Sequence, residues 1–141
     1  GEYEPLKGRA LETLHRSTHI LTTMAPIADF SRDPVLEFHR QDIESKCRSL
    51  KWVGYLSTTS VYGDHQGDWV TEDSETRVSE ADPATFRLQA EEAWLSLTRV
   101  VPAHVFRLSG IYGPGRSALD SVRKSAILSL LDTGGAGVKS G

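Results

Sequence analysis

The 141-residue sequence contains a single cysteine, Cys47, and this scarcity is its most restrictive compositional feature. One cysteine excludes an internal disulfide framework and suits a reducing compartment. We therefore expect the protein in the cytoplasm or in an organellar stroma, and not outside the cell. Cys47 falls at the end of an amphipathic helical pattern, so we interpret it as a structural thiol and not as a nucleophile.

Long apolar runs and blocks of positive charge are also missing. No stretch approaches the roughly 20 apolar residues that a membrane-spanning helix needs, and the sequence starts without a secretory signal pattern. The 16 basic and 19 acidic residues give a net charge of −3, and the basic residues are dispersed. We therefore expect no membrane span and no nucleic-acid partner.

The histidines do not form a metal-ligand spacing on any one predicted element. They are His15, His19, His39, His65 and His104. Zinc sites usually draw their ligands from closely spaced pairs on one element. We therefore expect packed or solvated histidines and no metal site.

Helical and strand-like segments alternate along the chain. Apolar runs predict three strands, at residues 18–23, at about 52–57 and at 103–108, and Met24-Ala25-Pro26 ends the first of them. Residues 8–16 have the pattern of the end of a helix. A polar segment from about residue 64 to 81 has no clear period, so we predict a loop there.

Two capped helices connect the predicted strands. Asp33-Pro34 and Asp82-Pro83 each place a favoured capping residue before a proline, which fits the first position of a helix. Residues at three- and four-residue spacing then mark one buried face of each helix. These residues are Leu36, His39, Ile43 and Cys47 in the first helix, and Phe86, Ala90, Ala93, Trp94 and Leu97 in the second.

This strand–helix–strand–helix–strand order predicts an α/β fold with a parallel sheet flanked by helices. Both crossovers should be right-handed, which brings the loops after Ser57 and after Leu108 to the same edge of the sheet. Ligands of open α/β sheets bind outside that edge.

Both of those loops carry residues that can do chemistry. Four hydroxyl side chains, Ser57 to Ser60, end the second strand and continue into Val61-Tyr62-Gly63-Asp64. The third strand continues into Ser109-Gly110-Ile111-Tyr112-Gly113-Pro114-Gly115. The hydroxyls can hydrogen-bond a ligand or a reacting oxygen. An ordinary strand-to-loop exit is the alternative, because Ser, Thr and Gly are common turn residues.

Together, Leu56 to Asp64 and Phe106 to Gly115 resemble the extended short-chain dehydrogenase/reductase superfamily, also called the NAD-dependent epimerase/dehydratase family. The two segments lie about 45 residues apart, and the resemblance covers residues from about 9 to 123. It implies a partial Rossmann-like, doubly wound parallel sheet in a three-layer α/β/α arrangement, with bound NAD or NADP. It also implies a small, sugar-like substrate that reacts at a hydroxyl or carbonyl carbon.

The resemblance assigns roles to residues at all three strand ends. Thr58 matches the hydroxyl residue that orients the substrate, and Tyr62 is a candidate substitute proton donor. The cofactor-binding residues that it implies here are Met24, Ala25, Pro26, Ser57, Leu108, Ser109 and Gly110.

The family's Tyr-x-x-x-Lys pair, which transfers a proton and holds the ribose, is missing. Pro83 and Arg87 stand at its two positions, and no tyrosine occurs between Tyr62 and Tyr112. Proline cannot transfer a proton. Arginine is a permanent cation that can hold a ribose or a phosphate, but it is a poor acid or base. We therefore predict Arg87 as a cofactor-binding residue.

The Gly-x-x-Gly-x-x-Gly turn that binds pyrophosphate in this family is also missing. We therefore expect a fragment or truncated isoform, in which residues 1–133 form the C-terminal half of the nucleotide-binding domain. Residues 134–141 are expected to form a flexible, Gly-rich tail. The chain alone should bind the dinucleotide weakly or not at all. The residues that distinguish NAD from NADP are not in the sequence.

Two functions stay open at this point. The first is an NAD(P)-dependent epimerase, dehydratase or reductase of atypical mechanism, in which Thr58, Tyr62 or a water carries the proton. The second is a catalytically inactive nucleotide-binding or interaction subunit that retains the scaffold. The predicted helix from Phe86 to Leu97 is a candidate surface for a homodimer or for a larger assembly.

Overall fold

Three parallel strands form the centre of the first structural unit, which ends at Ser109. They are β1 (His19–Thr22), β2 (Trp52–Thr58) and β3 (Ala103–Leu108), and they lie side by side in the order β1-β2-β3. The structure is a computed structural model that describes residues 3–26, 33–117, 119, 120, 122 and 123. All three strands agree with the apolar runs that predicted them.

Parallel pairing places the three strand ends at one edge of the sheet. Thr22, the last residue of β1, lies opposite Tyr55 in β2, and Thr58 at the end of β2 lies opposite Leu108 at the end of β3. The loops after β2 and β3 therefore leave the sheet at the same edge, as the order of the elements predicted.

The described part of the first unit contains three α-helices, namely α1 (Gly8–Arg16), α2 (Pro34–Ser45) and α3 (Ala84–Leu95). Short 3-10 helices follow β2 at Thr59–Tyr62 and α3 at Ser96–Arg99. Within the residues that the structure describes, no helix has the length and the apolar composition needed to cross a membrane.

Asp33 is the N-cap of α2 as predicted, whereas the cap position of α3 is held by Pro83, and Asp82 lies one residue before it. Oδ1 of Asp33 accepts hydrogen bonds from the backbone N–H groups of Val35 at 2.9 Å and Leu36 at 3.1 Å, at the start of α2. Asp82 accepts one hydrogen bond, from the N–H of Ala84 at 2.7 Å, at the start of α3. The caps satisfy N–H groups that have no partner within the first turn of a helix.

The core lies between one face of the sheet and the helices. Val53, Tyr55 and Leu97 have no exposed surface, and Trp94 of α3 is 1% exposed. The same buried cluster includes Leu14 of α1 and Leu36 and Ile43 of α2. It also includes Cys47, which was predicted within the helix but lies two residues after the end of α2. The described residues thus form the sheet and one helical layer of a partial Rossmann-like, doubly wound α/β fold.

The opposite face of the sheet is apolar and largely exposed. Leu21 of β1 is 52% exposed and Phe106 of β3 is 43% exposed. The Trp52 ring lies across Gly54, and its Nε1 donates a hydrogen bond to Nδ1 of His104 at 2.8 Å. A side chain at position 54 would overlap the Trp52 ring, so this arrangement requires glycine. We call the surface that carries these residues the open sheet face.

The predicted loop connects the 3-10 helix after β2 with α3. Its base is closed by a hydrogen bond from the N–H of Arg77 to the carbonyl oxygen of Tyr62 at 3.0 Å. Gly63, next to this bond, has φ +68° and ψ −151°, a combination that is essentially restricted to glycine. The closure of the loop therefore depends on glycine at this position. Further along the loop, Trp69 is 98% exposed.

The second structural unit begins at Gly110. A turn pairs Gly113 with Arg116, whose backbone groups exchange hydrogen bonds of 3.0 and 2.9 Å. Residues 119, 120, 122 and 123 are helical. The predicted boundary at residue 133 and the Gly-rich tail lie outside the described residues.

Asp33 is 1% exposed, and its buried position predicts a pH-dependent cost for its removal. Burial raises the pKa of Asp33 above its ordinary value. The backbone N–H of Leu36, which bonds to the carboxylate, and the nearby indole N–H of Trp94 oppose this rise in pKa. The indole N–H forms no hydrogen bond to a described residue. A carboxyl whose pKa is raised by folding stabilises the protein most below its unfolded pKa. That contribution is lost as the pH rises through the folded pKa.

We expect Asp33→Ala to lower the free energy of unfolding by about 1–2 kcal/mol, because two N–H groups lose their acceptor. The loss should be larger at about pH 4 than at about pH 7, since the raised pKa makes Asp33 less stabilising once it ionises. Urea denaturation of the unaltered chain and of Asp33→Ala at both pH values measures this loss in the free energy of unfolding. Asp82→Ala, which removes a single capping bond from α3, is the matched control and should lose less. A loss that grows with pH would contradict the buried-carboxyl interpretation.

Candidate functional site

The carboxyl ends of β1, β2 and β3 form the candidate site, which we call the carboxyl edge. Thr22 and Ser57 lie on the helical side of the sheet at this edge, 5% and 4% exposed. Their hydroxyl oxygens have no hydrogen-bond partner among the described residues. Buried hydroxyls are nearly always paired, so two unpaired ones at strand ends indicate a place for a polar ligand or an ordered water.

Thr58, the predicted substrate-orienting residue, is the last residue of β2. Its Oγ1 accepts hydrogen bonds from the N–H of Ser60 at 3.2 Å and from Oγ of Ser60 at 3.0 Å, so it caps the following 3-10 helix. With both lone pairs engaged, the hydroxyl proton of Thr58 remains available for donation. Thr58 can therefore orient a carbonyl or hydroxyl oxygen of a ligand as a donor.

The other predicted cofactor-binding residues of β1 and β3 fall on the same edge, with one exception. Met24-Ala25-Pro26 follows the end of β1 and is exposed or half-buried. Leu108 lies opposite Thr58, and Ser109 comes directly after it. Gly110 is the exception, because it begins the second unit.

Arg87 reaches the carboxyl edge from α3 and is half-buried. Its Nη1 lies 3.4 Å from the hydroxyl oxygen of Tyr55 and 3.4 Å from the carbonyl oxygen of Leu56, which is long for a hydrogen bond. Its other N–H groups have no hydrogen-bond partner in the described part of the chain. A permanent cation with free donors suits a phosphate, a carboxylate or a ribose hydroxyl.

Tyr55 supports Arg87 from within the core. Its ring stacks on Trp94, with ring centroids 6.4 Å apart and an angle of 10° between the planes. Burial raises the pKa of the Tyr55 phenol, and the hydrogen bond from Arg87 opposes the rise. The phenol therefore stays protonated at neutral pH and does not act as a base. The sequence analysis did not single out Tyr55. Its only signal was its position two residues before Ser57, which places both on one face of β2.

A buried ion pair joins α3 to β3 beside the carboxyl edge. Glu91, 1% exposed, accepts hydrogen bonds from Nη2 of Arg107 at 2.8 Å and from Nε at 3.2 Å. The hydrogen bond to Glu91 raises the pKa of Arg107 well above its ordinary value. The guanidinium carbon also lies 4.8 Å from the centre of the Tyr62 ring. Tyr62, the predicted substitute proton donor, is 6% exposed and lies under this cation.

Pro83 is exposed and occupies the cap position of α3, one residue before the helix begins. The prediction that it takes the first helical position was therefore wrong by one residue, a shift that is common at helix ends. Pro83 offers no proton to a ligand. Neither this position nor Arg87, four residues later, can act as the acid of a Tyr-x-x-x-Lys pair.

A groove of about 690 Å³ runs along β3, next to the carboxyl edge. Its volume lies within the range of small-molecule sites, about 300–1,000 Å³. The lining combines hydroxyls and carboxylates with the apolar residues of a strand, which suits a small polar ligand. The lining residues include Thr59, Tyr62, Glu72, Glu91 and all six residues of β3.

The fold and this edge define the class of structure, a partial Rossmann-like α/β domain with its polar groups gathered at the strand ends. Two solved structures share the fold. A functionally unknown conserved protein from Silicibacter pomeroyi DSS has a TM-score of 0.64 and 43% sequence identity, over 74% of this chain and 36% of that chain. A proposed NAD-dependent epimerase/dehydratase from Methylobacillus flagellatus has a TM-score of 0.59 and 24% identity, over 85% and 42% of the two chains.

The chain thus spans less than half the length of either similar structure. No protein-family model matches the sequence. No curated protein matches it either.

Proposed function

We propose that the chain supplies the carboxyl edge of an NAD(P)-binding protein related to the NAD-dependent epimerase/dehydratase family. The convergence of unpaired polar groups at that edge carries the proposal. The buried hydroxyls of Thr22 and Ser57 and the free N–H groups of Arg87 suit a ligand with many hydroxyls and negative charge. The fold that the chain shares with the Methylobacillus flagellatus structure also supports the proposal of an NAD(P)-binding protein.

In this proposal, different residues of the carboxyl edge bind different parts of the cofactor and of the substrate. Arg87 holds the ribose or a phosphate, while Met24-Ala25-Pro26 and Leu108-Ser109 line the nicotinamide. Ser57 offers a hydroxyl beside it. When bound, the nicotinamide accepts or donates a hydride. The hydroxyl of Thr58 donates a hydrogen bond to a carbonyl or hydroxyl oxygen of a small, sugar-like substrate, and this bond orients the substrate.

We also propose that the chain is part of a longer protein. The similar structures are each more than twice as long as the part that matches. The open sheet face supports the proposal, because the faces of a parallel sheet are normally both covered by helices. Its apolar residues, such as Leu21 and Phe106, then become buried against the rest of the protein.

A catalytically inactive nucleotide-binding subunit is the second candidate, and the position of Tyr62 favours it. Tyr62 is buried under Arg107, where a phenol is better placed for packing than for proton transfer to a ligand. Pro83 has no proton to offer. Thr58 would remain as the hydroxyl at the edge, and a hydroxyl with an ordinary environment is a weak acid and a weak base.

NMR titration of the 15N-labelled chain with NADH or NADPH tests the cofactor proposal. We expect weak binding, with a dissociation constant in the millimolar range, because the chain carries only part of the site. The amide signals that move should belong to the carboxyl edge, and signals at the opposite ends of the strands should stay in place. The first group is Thr22, Ser57, Thr58, Arg87 and Ser109, and the second is His19 and Trp52.

Arg87→Gln should weaken this binding about tenfold, because a charged hydrogen bond to the dinucleotide is lost. Arg99→Gln, at an exposed arginine beyond α3, is the matched control and should change nothing. Unmoved edge signals at about 10 mM dinucleotide would contradict the cofactor proposal. A micromolar dissociation constant would contradict the proposal that the chain holds only part of the site. In a longer form, Thr58-dependent NADH oxidation would rule out the inactive subunit.

A further inference from the structure

One hydrogen bond and one aromatic contact join the N-terminal segment, residues 3–7, to α2. His39 of α2 is 2% exposed. Its Nε2 accepts a hydrogen bond from the backbone N–H of Leu6 at 2.9 Å. On the other side of the ring, Nδ1 lies 3.3 Å from Oδ2 of Asp42. Neither candidate function uses these residues, so the contact needs an explanation of its own.

These two contacts fix the protonation state of His39. A backbone N–H can only donate, so Nε2 of His39 must carry a lone pair. Nδ1 must then carry the proton and donate it to the Asp42 carboxylate. His39 therefore holds Leu6 only as a neutral ring with its proton on Nδ1. A second proton, on Nε2, would bring two donors face to face and break the contact with Leu6.

Asp42 is the charged group in contact with the His39 ring. Nζ of Lys46 lies 2.9 Å from Oδ1 of Asp42, and Nε2 of His15, on α1, lies 3.0 Å from the same oxygen. Lys46 and then His15 hold the pKa of Asp42 well below its usual range. Asp42 therefore stays ionised throughout the pH range in which histidines change charge, between about pH 5 and pH 8.

The other titratable groups around this contact do not compete for the His39 ring. Glu4 and Lys7, on the N-terminal segment, are exposed to solvent. The thiol of Cys47 donates a hydrogen bond to the carbonyl oxygen of Leu14 at 3.3 Å. Burial and the nearby charge of Asp42 raise the pKa of this thiol. The Tyr3 ring stacks on the Phe38 ring of α2, with ring centroids 5.6 Å apart, and burial raises the pKa of the Tyr3 phenol. Both groups stay neutral in mild acid.

We propose that the N-terminal segment is attached to α2 by a pH-dependent contact, which opens when the buried imidazole of His39 takes up a second proton. The N–H of Leu6 then loses its acceptor, and the aromatic contact of Tyr3 and the packing of the Leu6 side chain against the core remain. His15 cannot replace His39 in this role, because its Nε2 contacts Asp42 and not Leu6. Protonation of His39 therefore loosens the attachment of residues 3–7 to α2 at Leu6.

Hydrogen exchange of the Leu6 amide, followed by NMR on the whole chain, tests this proposal. Protection of that amide, corrected for the intrinsic exchange rate, should fall about tenfold between about pH 8 and about pH 5. The 15N shifts of the His39 ring should show a proton on Nδ1 alone at the higher pH. At the lower pH they should show protons on both nitrogens.

His39→Gln is the most informative variant, because glutamine offers one acceptor and a donor group but does not titrate in this range. We expect it to keep Leu6 protected at both pH values. His39→Phe should lose the protection at both. His15→Gln, the matched control on the same aspartate, should leave the pH dependence of Leu6 intact.

Several results would overturn the proposal. They are a Leu6 amide whose protection is the same at both pH values, a proton on Nε2 of His39 at the higher pH, or a pH dependence that survives His39→Gln. A pH dependence that disappears in His15→Gln would overturn it as well, because the titration would then belong to α1. Amide exchange at Leu6 and the 15N shifts of the His39 ring, both measured on the unaltered chain, test the proposal even if a variant does not fold.

Discussion

Replacing Arg107 with leucine will lower the free energy of unfolding of the first unit by about 3–5 kcal/mol. The substitution removes both donors from the Glu91 carboxylate, which is 1% exposed. Leucine still covers part of the Tyr62 ring that the guanidinium now covers. Most of the loss therefore comes from an unpaired buried charge and not from lost packing.

Urea denaturation of Arg107→Leu, Glu91→Leu and the double variant separates these contributions. The double variant should regain most of the lost stability, because two apolar side chains can replace a buried ion pair at little cost. If the double variant is as unstable as Arg107→Leu, packing and not charge dominates.

Gly63→Ala will destabilise the first unit by about 3 kcal/mol or more. Its φ of +68° with ψ of −151° is a conformation that side chains strongly disfavour. In addition, the new Cβ would overlap the carbonyl oxygen of Arg77, a backbone atom that cannot turn away as a side chain can. The N–H of Arg77 bonds to Tyr62, so relieving the overlap opens the base of the loop.

Gly67→Ala is the matched control in the same loop. Gly67 has φ +87°, but an added Cβ there would meet nothing within 4 Å. We expect a loss of about 1 kcal/mol from the backbone conformation alone. Thermal and urea denaturation compare the two variants, and amide exchange at Arg77 reports on the base of the loop. Equal losses at the two glycines would show that the overlap with Arg77 is unimportant.

The strands, the caps and the carboxyl edge could be predicted because their signals are local. Asp33 and Asp82 lie two residues before N–H groups from which they accept hydrogen bonds, and each strand lies in one short, largely apolar run. Parallel pairing then follows from the alternation of helix and strand. It brings Thr58 and Leu108 together although 50 positions separate them.

The polar pairs that join distant segments could not be predicted in the same way. Arg87 meets Tyr55 across 32 positions, and His39 meets the backbone of Leu6 across 33. With 16 basic and 19 acidic residues in the chain, each charge has many candidate partners, and burial selects among them. Glu91 carried one signal, because it lies three residues before Trp94 and therefore beside the buried face of α3.

The spatial order of the strands, β1-β2-β3, is also their order along the chain. During synthesis the ribosome releases β1 and α2 before β2, and then releases α3 before β3. β2 and β3 therefore each meet a neighbour that has already emerged, and none of the three described strands pairs with a distant segment of the described chain. The sheet can grow one strand at a time during translation, which shortens the period in which its apolar strands lack a partner.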